Sequence, residues 1–232
     1  KMQRPAYIIN ATTPGSDIAG ATSVALSIAS ILFKKRDPSY SALCLSHAKE
    51  LFHFAEKYPK RYHESVQDAQ GFYTSGGYSD EVLLASLWLY TATGANLYKQ
   101  YAISNSRDLV KKTLTWTQCW DDQSYACIYL LWHLFQDKEA KQCIESYLDY
   151  WTDKLPTSPG GLKFLNVWGS LRYSSTTAFM AGLYIDKYNP TLDPVKKAKY
   201  NHLLESQIHY ILGDNPRDRS FVCGFGKNPP VN

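Results

Sequence analysis

Residues 71–90 read GFYTSGGYSDEVLLASLWLY, and the fold follows from how this stretch is understood. Two aromatic residues, Phe72 and Tyr73, and a glycine turn lead straight into adjacent carboxylates, Asp80 and Glu81, and then into a strongly apolar run. Gly76 and Gly77 allow a tight turn or a positive φ, so backbone carbonyls can point at a common centre. Ser79 or Asp80 can cap the first helical turn, where orphan amides and the helix dipole favour negative charge. The run from Asp80 to about residue 93 is apolar almost all round, as in a buried helix, and Gly94 is placed to end it. A second helix from Ala95 toward Lys112 returns, which makes a helical hairpin.

The same unit recurs on both sides. Upstream, Pro14-Gly15-Ser16-Asp17 reads as a turn feeding an N-cap, and DIAGATSVALSIASILFKK carries apolar residues at Ile18, Ala21, Ala25, Ile28 and Leu32. Its Ala, Gly and Ser content lets a neighbouring helix approach closely. Asp37 can cap the next helix and Pro38 fits its first position, with Tyr40, Leu43, Cys44, His47, Leu51 and Ala55 marking one face until Pro59. Downstream, a third pair runs from Asp121 to Phe135 and from Asp137 to about Trp151. A fourth starts near Ser174, crosses Asn189-Pro190 and returns from Asp193 to Leu212, where Gly213 stops it.

Long loops rich in aromatic and polar residues (YTSGGYSDE, WTQCWDD, WGSLRYSS) precede the odd helices, whereas turns inside each hairpin are short. Two antiparallel helices separate successive long loops, so these loops are expected on one face. Tyr73, Trp116, Asp121, Trp168, Arg172 and Tyr173 would then line one cleft. The loops are unevenly spaced, which argues against a solenoid of fixed repeat and for a toroid of hairpins.

Trp120-Asp121-Asp122 gives Asp80 and Glu81 a second possible use beyond capping. Two acidic loops can bring hard oxygen ligands to one Ca²⁺, an ion that accepts carboxylates and backbone carbonyls together. In the cleft, aromatic faces suit the apolar faces of sugars, while Asp, Arg and Tyr suit ring hydroxyls. Trp88, Trp132 and Trp151 fall at helical spacing among aliphatics and read as core. Asp80 with Glu81, or Asp121 with Asp122, makes a poor acid and base for glycoside hydrolysis, because sequence neighbours at a helix start splay apart. No catalytic residue is assigned from them.

Composition narrows the function classes. With 232 residues, 44% hydrophobic and 14% aromatic, the chain can bury a large core. A net charge of +4 is scattered without a basic stripe, which argues against a nucleic-acid surface. No apolar run reaches the roughly 20 residues of a membrane helix, since 19–33 is short and broken by serines. The five cysteines are odd in number and lack CxxC spacing, so buried thiols are expected rather than a zinc site or disulfide framework. The six histidines show no HxxxH spacing and none is given a metal or catalytic role. Asn10-Ala11-Thr12 fits the N-glycosylation pattern, which matters only in a secreted chain. KMQRPAYIIN resembles no targeting peptide and KNPPVN reads as an extended loop, so truncation at both ends is expected.

The stretches RPAYIINATTPGSDIAGATSVALSIASILF (4–33), GFYTSGGYSDEVLLASLWLYTATG (71–94), WTQCWDDQSYACIYLL (116–131), WGSLRYSSTTAFMA (168–181) and YILGDNPRDRSFVCGFGKNPP (210–230) together resemble the glycoside hydrolase family 9 cellulases. The resemblance implies an all-α (α/α)6 barrel, of which residues 1–232 supply about four hairpins of a partial catalytic domain. It implies hydrolysis of internal β-1,4-glucosidic bonds of cellulose with inversion, in an extracellular protein. Its calcium site, carried over, falls on the carbonyls of Gly76 and Gly77 and on Asp80, Glu81 and Asp121. Its substrate-binding positions fall on Tyr73, Trp116, Asp122, Trp168, Arg172 and Tyr173. A tryptophan common in the family shortly after Tyr73 has no counterpart in YTSGGY. The family's water-activating aspartate, in a DAGD-type motif, and its proton-donating glutamate would lie upstream and downstream of these residues. Two other readings stay open: a non-catalytic, calcium-stabilised glucan-binding module, and a helical interaction scaffold in which the acidic loops are only caps.

Overall fold

The computed structural model describes residues 2–188 and 191–231, so the Asn189-Pro190 crossing lies outside the described residues. The chain is all-α, and the described residues form no extended strand, only isolated bridges such as that between Thr157 and Lys163. It divides into two compact units, Lys1–Lys111 with Trp120–Asp137 and Lys112–Cys119 with Lys138–Asn232.

The first unit holds α1 (Ser16–Phe33), α2 (Pro38–Lys57), the short α3 (Tyr62–Ser65), α4 (Ser79–Thr93), α5 (Asn96–Asn105) and α6 (Ser124–Phe135). α2 starts as its sequence dictates: the Asp37 carboxylate accepts from Tyr40 N at 3.0 Å and Pro38 takes the first turn. α4 ends at Gly94, whose φ of 68° only glycine adopts freely, with Gly94 N donating to Tyr90 O at 2.7 Å. α5 stops at Asn105, short of Lys112. Asn105 Nδ2 and the Ser106 hydroxyl bond the carbonyls of Tyr101 and Ile103, so polar side chains take over the last turn.

α1 turns a different face inward from its apolar stripe. Ile18 and Leu32 are 42% and 72% exposed, while Ser16, Asp17, Ala19, Gly20, Ser23, Ser27 and Ser30 are buried. The small residues let α2 and α4 come close: a Cβ on Gly20 would stand 2.9 Å from the carbonyl carbon of Glu81. The hydroxyls of Ser16, Ser23 and Ser30 find backbone acceptors, with Ser23 donating to Ala48 O at 2.7 Å, whereas Ser27 Oγ has no hydrogen-bond partner among the described residues. α2 likewise buries Ser41, Cys44, Ala48, Phe52 and Ala55, whereas Tyr40 and Leu43 of the expected face are exposed. By length and composition α1 would suffice to cross a membrane, yet it packs against α2 and α4 as a core helix.

The second unit holds α7 (Lys138–Asp149), a π turn (Tyr150–Lys154), α8 (Ser170–Tyr188) and α9 (Pro194–Leu212). Asp193 caps α9 by accepting from the amides of Val195 and Lys196, both at 3.0 Å. Trp151, Tyr184 and Tyr200 form its buried centre, and Thr117, Tyr147 and Thr177 join in a buried hydroxyl chain at 2.9 and 2.8 Å. Trp132, in the first unit, and Trp151 are both core residues, as their spacing implies. Cys44, Cys127 and Cys143 are buried free thiols.

Candidate functional site

In the first unit the loop before α4 meets the loop before α6. Asp121 Oδ1 accepts from Gly76 N at 2.6 Å, and a Cβ on Gly76 would stand only 3.0 Å from Asp121 Oδ2. Asp80 Oδ2 accepts from Gln123 N at 2.6 Å, and Asp122 Oδ1 accepts from Ser124 N at 3.0 Å. These aspartates therefore strap loop amides. Capping of α4 by Ser79 or Asp80 does not occur, because its N-cap is Tyr78 with no side-chain bond. α6 begins at Ser124 and not at Asp121, whose carboxylate is held by Gly76 N.

Glu81 is different. It is 3% exposed, and among the described residues its Oε2 has no hydrogen-bond partner. Burial, reinforced by the neighbouring Asp80 charge, pushes its carboxyl up to about 9. Burial also raises Asp122; bonds from Ser124 oppose this, and the Asp80 and Asp121 charges add to it. Asp17, Ser75, Glu81 and Asp121 line one small cavity of about 90 Å³ with Tyr62 and Trp120.

Three residues given no site role by the sequence shape this junction. The buried His63 accepts from Ser75 N at 3.0 Å through Nδ1, which anchors the glycine loop. Asp17, the last residue of the turn read as feeding an N-cap, accepts from Tyr62 N, with both oxygens at 3.1 Å. The Tyr62 hydroxyl in turn donates to Tyr73 O. A signal for them was present only as polar residues in apolar surroundings, at positions far apart in sequence. Tyr73 itself is exposed and meets Trp120 edge-on, ring centres 5.5 Å apart.

Among the described residues no three His, Cys, Asp or Glu side chains converge tightly enough to form a metal cluster by themselves. The oxygens at this junction include the carboxylates and the Gly77 carbonyl, which accepts from the Ser75 hydroxyl at 2.5 Å. That is the donor chemistry of Ca²⁺. A buried carboxylate oxygen with no partner costs free energy that a divalent ion would offset. The residues fit the ion.

In the second unit, Trp116 and Tyr173 pack edge-on at 5.3 Å. Trp151 Nε1 donates to Trp116 O at 2.9 Å, fixing the backbone from which that ring projects. Arg172 lies over the Tyr173 ring, 4.5 Å from its centre, and Nη2 donates to the Tyr173 hydroxyl at 2.5 Å. Tyr173 is buried, Arg172 exposed and Trp168 80% exposed, the last at the end of a loop held by Asn166 Oδ1 accepting from Trp168 N. α8 starts at Ser170 rather than Ser174, so Arg172 and Tyr173 stand in its first turn. A flat exposed indole can stack on a sugar ring, and a guanidinium and a phenol can bond its hydroxyls.

The sequence profile described as "Glycosyl hydrolase family 9" matches residues 1–232. Endoglucanase 4 of Bacillus sp. (strain KSM-522) is 39% identical over 242 aligned residues, covering 100% of this chain and 38% of that protein. Endoglucanase B of Cellulomonas fimi is 39% identical, covering 99% of this chain and 23% of that protein. The chain thus spans well under half the length of these relatives. Among solved structures, an endoglucanase from the termite Nasutitermes takasagoensis is 37% identical with a TM-score of 0.86, covering 99% of this chain and 51% of that one. Endoglucanase CelQ from Clostridium thermocellum, complexed with cellotriose, is 37% identical with a TM-score of 0.85, covering 99% and 38%. The fold class is the (α/α)6 barrel of these relatives. With a profile match over its whole length and relatives of this closeness, the chain belongs to glycosyl hydrolase family 9.

Proposed function

We propose that these residues are the calcium-holding and glucan-binding portion of an extracellular endoglucanase that cleaves internal β-1,4-glucosidic bonds of cellulose with inversion. Family membership supports the chemistry, and the relatives' names as endoglucanases support the substrate class. The observation that carries the reading is the Trp116, Arg172 and Tyr173 cluster, together with the exposed Trp168 in the loop that leads into α8. Trp168 and Trp116 offer stacking faces, and Arg172 and Tyr173 offer donors to sugar hydroxyls. In the first unit, Tyr73 and Asp122 are the residues assigned to glucan binding.

Calcium would be held by the Gly76 and Gly77 carbonyls with Asp80, Glu81 and Asp121. It would supply positive charge that offsets their mutual repulsion and fastens the two loops. Inversion needs two carboxyl groups roughly 6.5–9.5 Å apart, with room for a water. What family 9 membership implies is a water-activating aspartate upstream and a proton-donating glutamate downstream of these residues, so neither role is assigned within the 232.

The test is reducing-sugar release from carboxymethyl cellulose by the full-length protein, with the anomer of the first product read by NMR. Release with inverted configuration is expected. Saturable binding of cello-oligosaccharides without any release would overturn hydrolysis in favour of a glucan-binding module.

A further inference from the structure

Asn10-Ala11-Thr12 is the sole Asn-X-Ser/Thr tripeptide in the sequence with X other than proline. All three residues are exposed, just before the chain enters the buried run at 14–17. The turn is closed by its backbone, with Asn10 N donating to Thr13 O at 3.1 Å and Thr13 N donating to Asn10 O at 3.2 Å. Asn10 Oδ1 accepts from Thr12 N at 2.9 Å, from the Thr12 hydroxyl at 2.7 Å and from Thr13 N at 3.1 Å. The oxygen end of the amide is thereby saturated within the turn. Its Nδ2 has no hydrogen-bond partner among the described residues. A group attached there needs no native bond broken and no packing displaced.

We propose that Asn10 is an N-glycosylation site. The proposal rests on the extracellular reading above, because the sugar donor acts in the secretory lumen. That donor is a lipid-diphosphate-linked oligosaccharide, used by a membrane-bound oligosaccharyltransferase. Asn10 Nδ2 forms a bond to the anomeric carbon of the donor's first sugar while the bond from that carbon to the diphosphate oxygen breaks. The lipid diphosphate leaves with the electron pair, and Nδ2 gives up one proton. The Thr12 hydroxyl, already bonded to the Asn10 amide, is the group that marks the tripeptide as an acceptor.

The experiment expresses the full-length protein, with its own N-terminal sequence, in a eukaryotic secretory host. The secreted product is treated with an amidase that releases N-linked glycans, and its peptides are mapped by mass. The expected result is a drop in apparent mass on treatment and aspartate in place of asparagine at position 10. N10Q and T12A should abolish both, and T12S should retain modification at reduced occupancy. Transfer precedes folding, so a variant that misfolds still reports occupancy. Secreted wild-type protein with an unmodified Asn10 peptide would overturn the site while leaving the extracellular reading intact. Wild-type protein retained in the cytosol without glycan would overturn both.

Discussion

Asp80, Glu81, Asp121 and Asp122 gather at one loop junction of the first unit, and among the described residues none of them pairs with a lysine, arginine or histidine. In the second unit Glu145 takes Lys141 at 3.1 Å and Lys196 at 2.5 Å, while Lys199 bridges Asp149 at 2.6 Å and Asp153 at 2.8 Å. The acids respond in opposite directions. Glu81 and Asp122 are pushed up, chiefly by burial. At Glu145 burial also pushes up, but bonds from Lys196, Tyr184 and Lys141 outweigh it and hold the group low; Asp153 is held low mainly by Lys199. A unit that can supply its own cations does so with lysine. For the acidic junction without them, the cation proposed above would come from outside.

The largest effect expected from this contrast is calcium-dependent stability. At a hundredfold excess over Kd, calcium should stabilise the full-length protein by about 2.7 kcal/mol. The gain should appear as a higher Tm by calorimetry and vanish in Asp80→Ala. A Tm indifferent to calcium would break the comparison.

Next in size is the paired side. Glu145→Ala strips Lys196 and Tyr184 of their acceptor and should cost about 2 kcal/mol in urea unfolding. The pH dependence has a definite sign, because Glu145 is held low in the folded state. Its contribution is present above the ordinary glutamate range and is lost as pH falls through that range to the depressed folded value. Glu145→Gln should therefore flatten the acid limb of the stability profile, and an unchanged limb would contradict the pairing.

Trp168→Ala should weaken cello-oligosaccharide binding by about 1 kcal/mol, roughly fivefold in Kd, with no change in Tm. Asp153→Asn removes an exposed partner of Lys199 and should shift stability by under about 0.5 kcal/mol. A larger loss would mean that the lysine pairs in the second unit are more than surface neutralisation.

Helices with local punctuation were legible in the sequence. Asp37-Pro38, Gly94 and Asp193-Pro194 each act where they stand, because a cap or a left-handed glycine needs nothing from distant residues. What depended on distant partners was not. Asp121 looked like the start of a helix, yet its carboxylate is drawn to Gly76 N, 45 positions away, so α6 starts later. The buried face of α1 was hidden because serine and glycine, rather than its apolar stripe, permit close approach to Glu81. His63 and Asp17 were missed as junction residues for the same reason: their partners, Ser75 and Tyr62, become neighbours only on folding. The meeting of Asp121 with the Gly76 loop and of Trp116 with Tyr173 was expected from the placement of the long loops before alternate helices.

The central claim, that the unpaired acids of the first unit hold calcium, is tested most directly by calorimetric titration of the chelator-treated full-length protein alongside Glu81→Gln. The account predicts saturable uptake in the wild type that is lost or strongly weakened in the variant. Absence of saturable uptake in the wild type, or equal uptake in both, would contradict it.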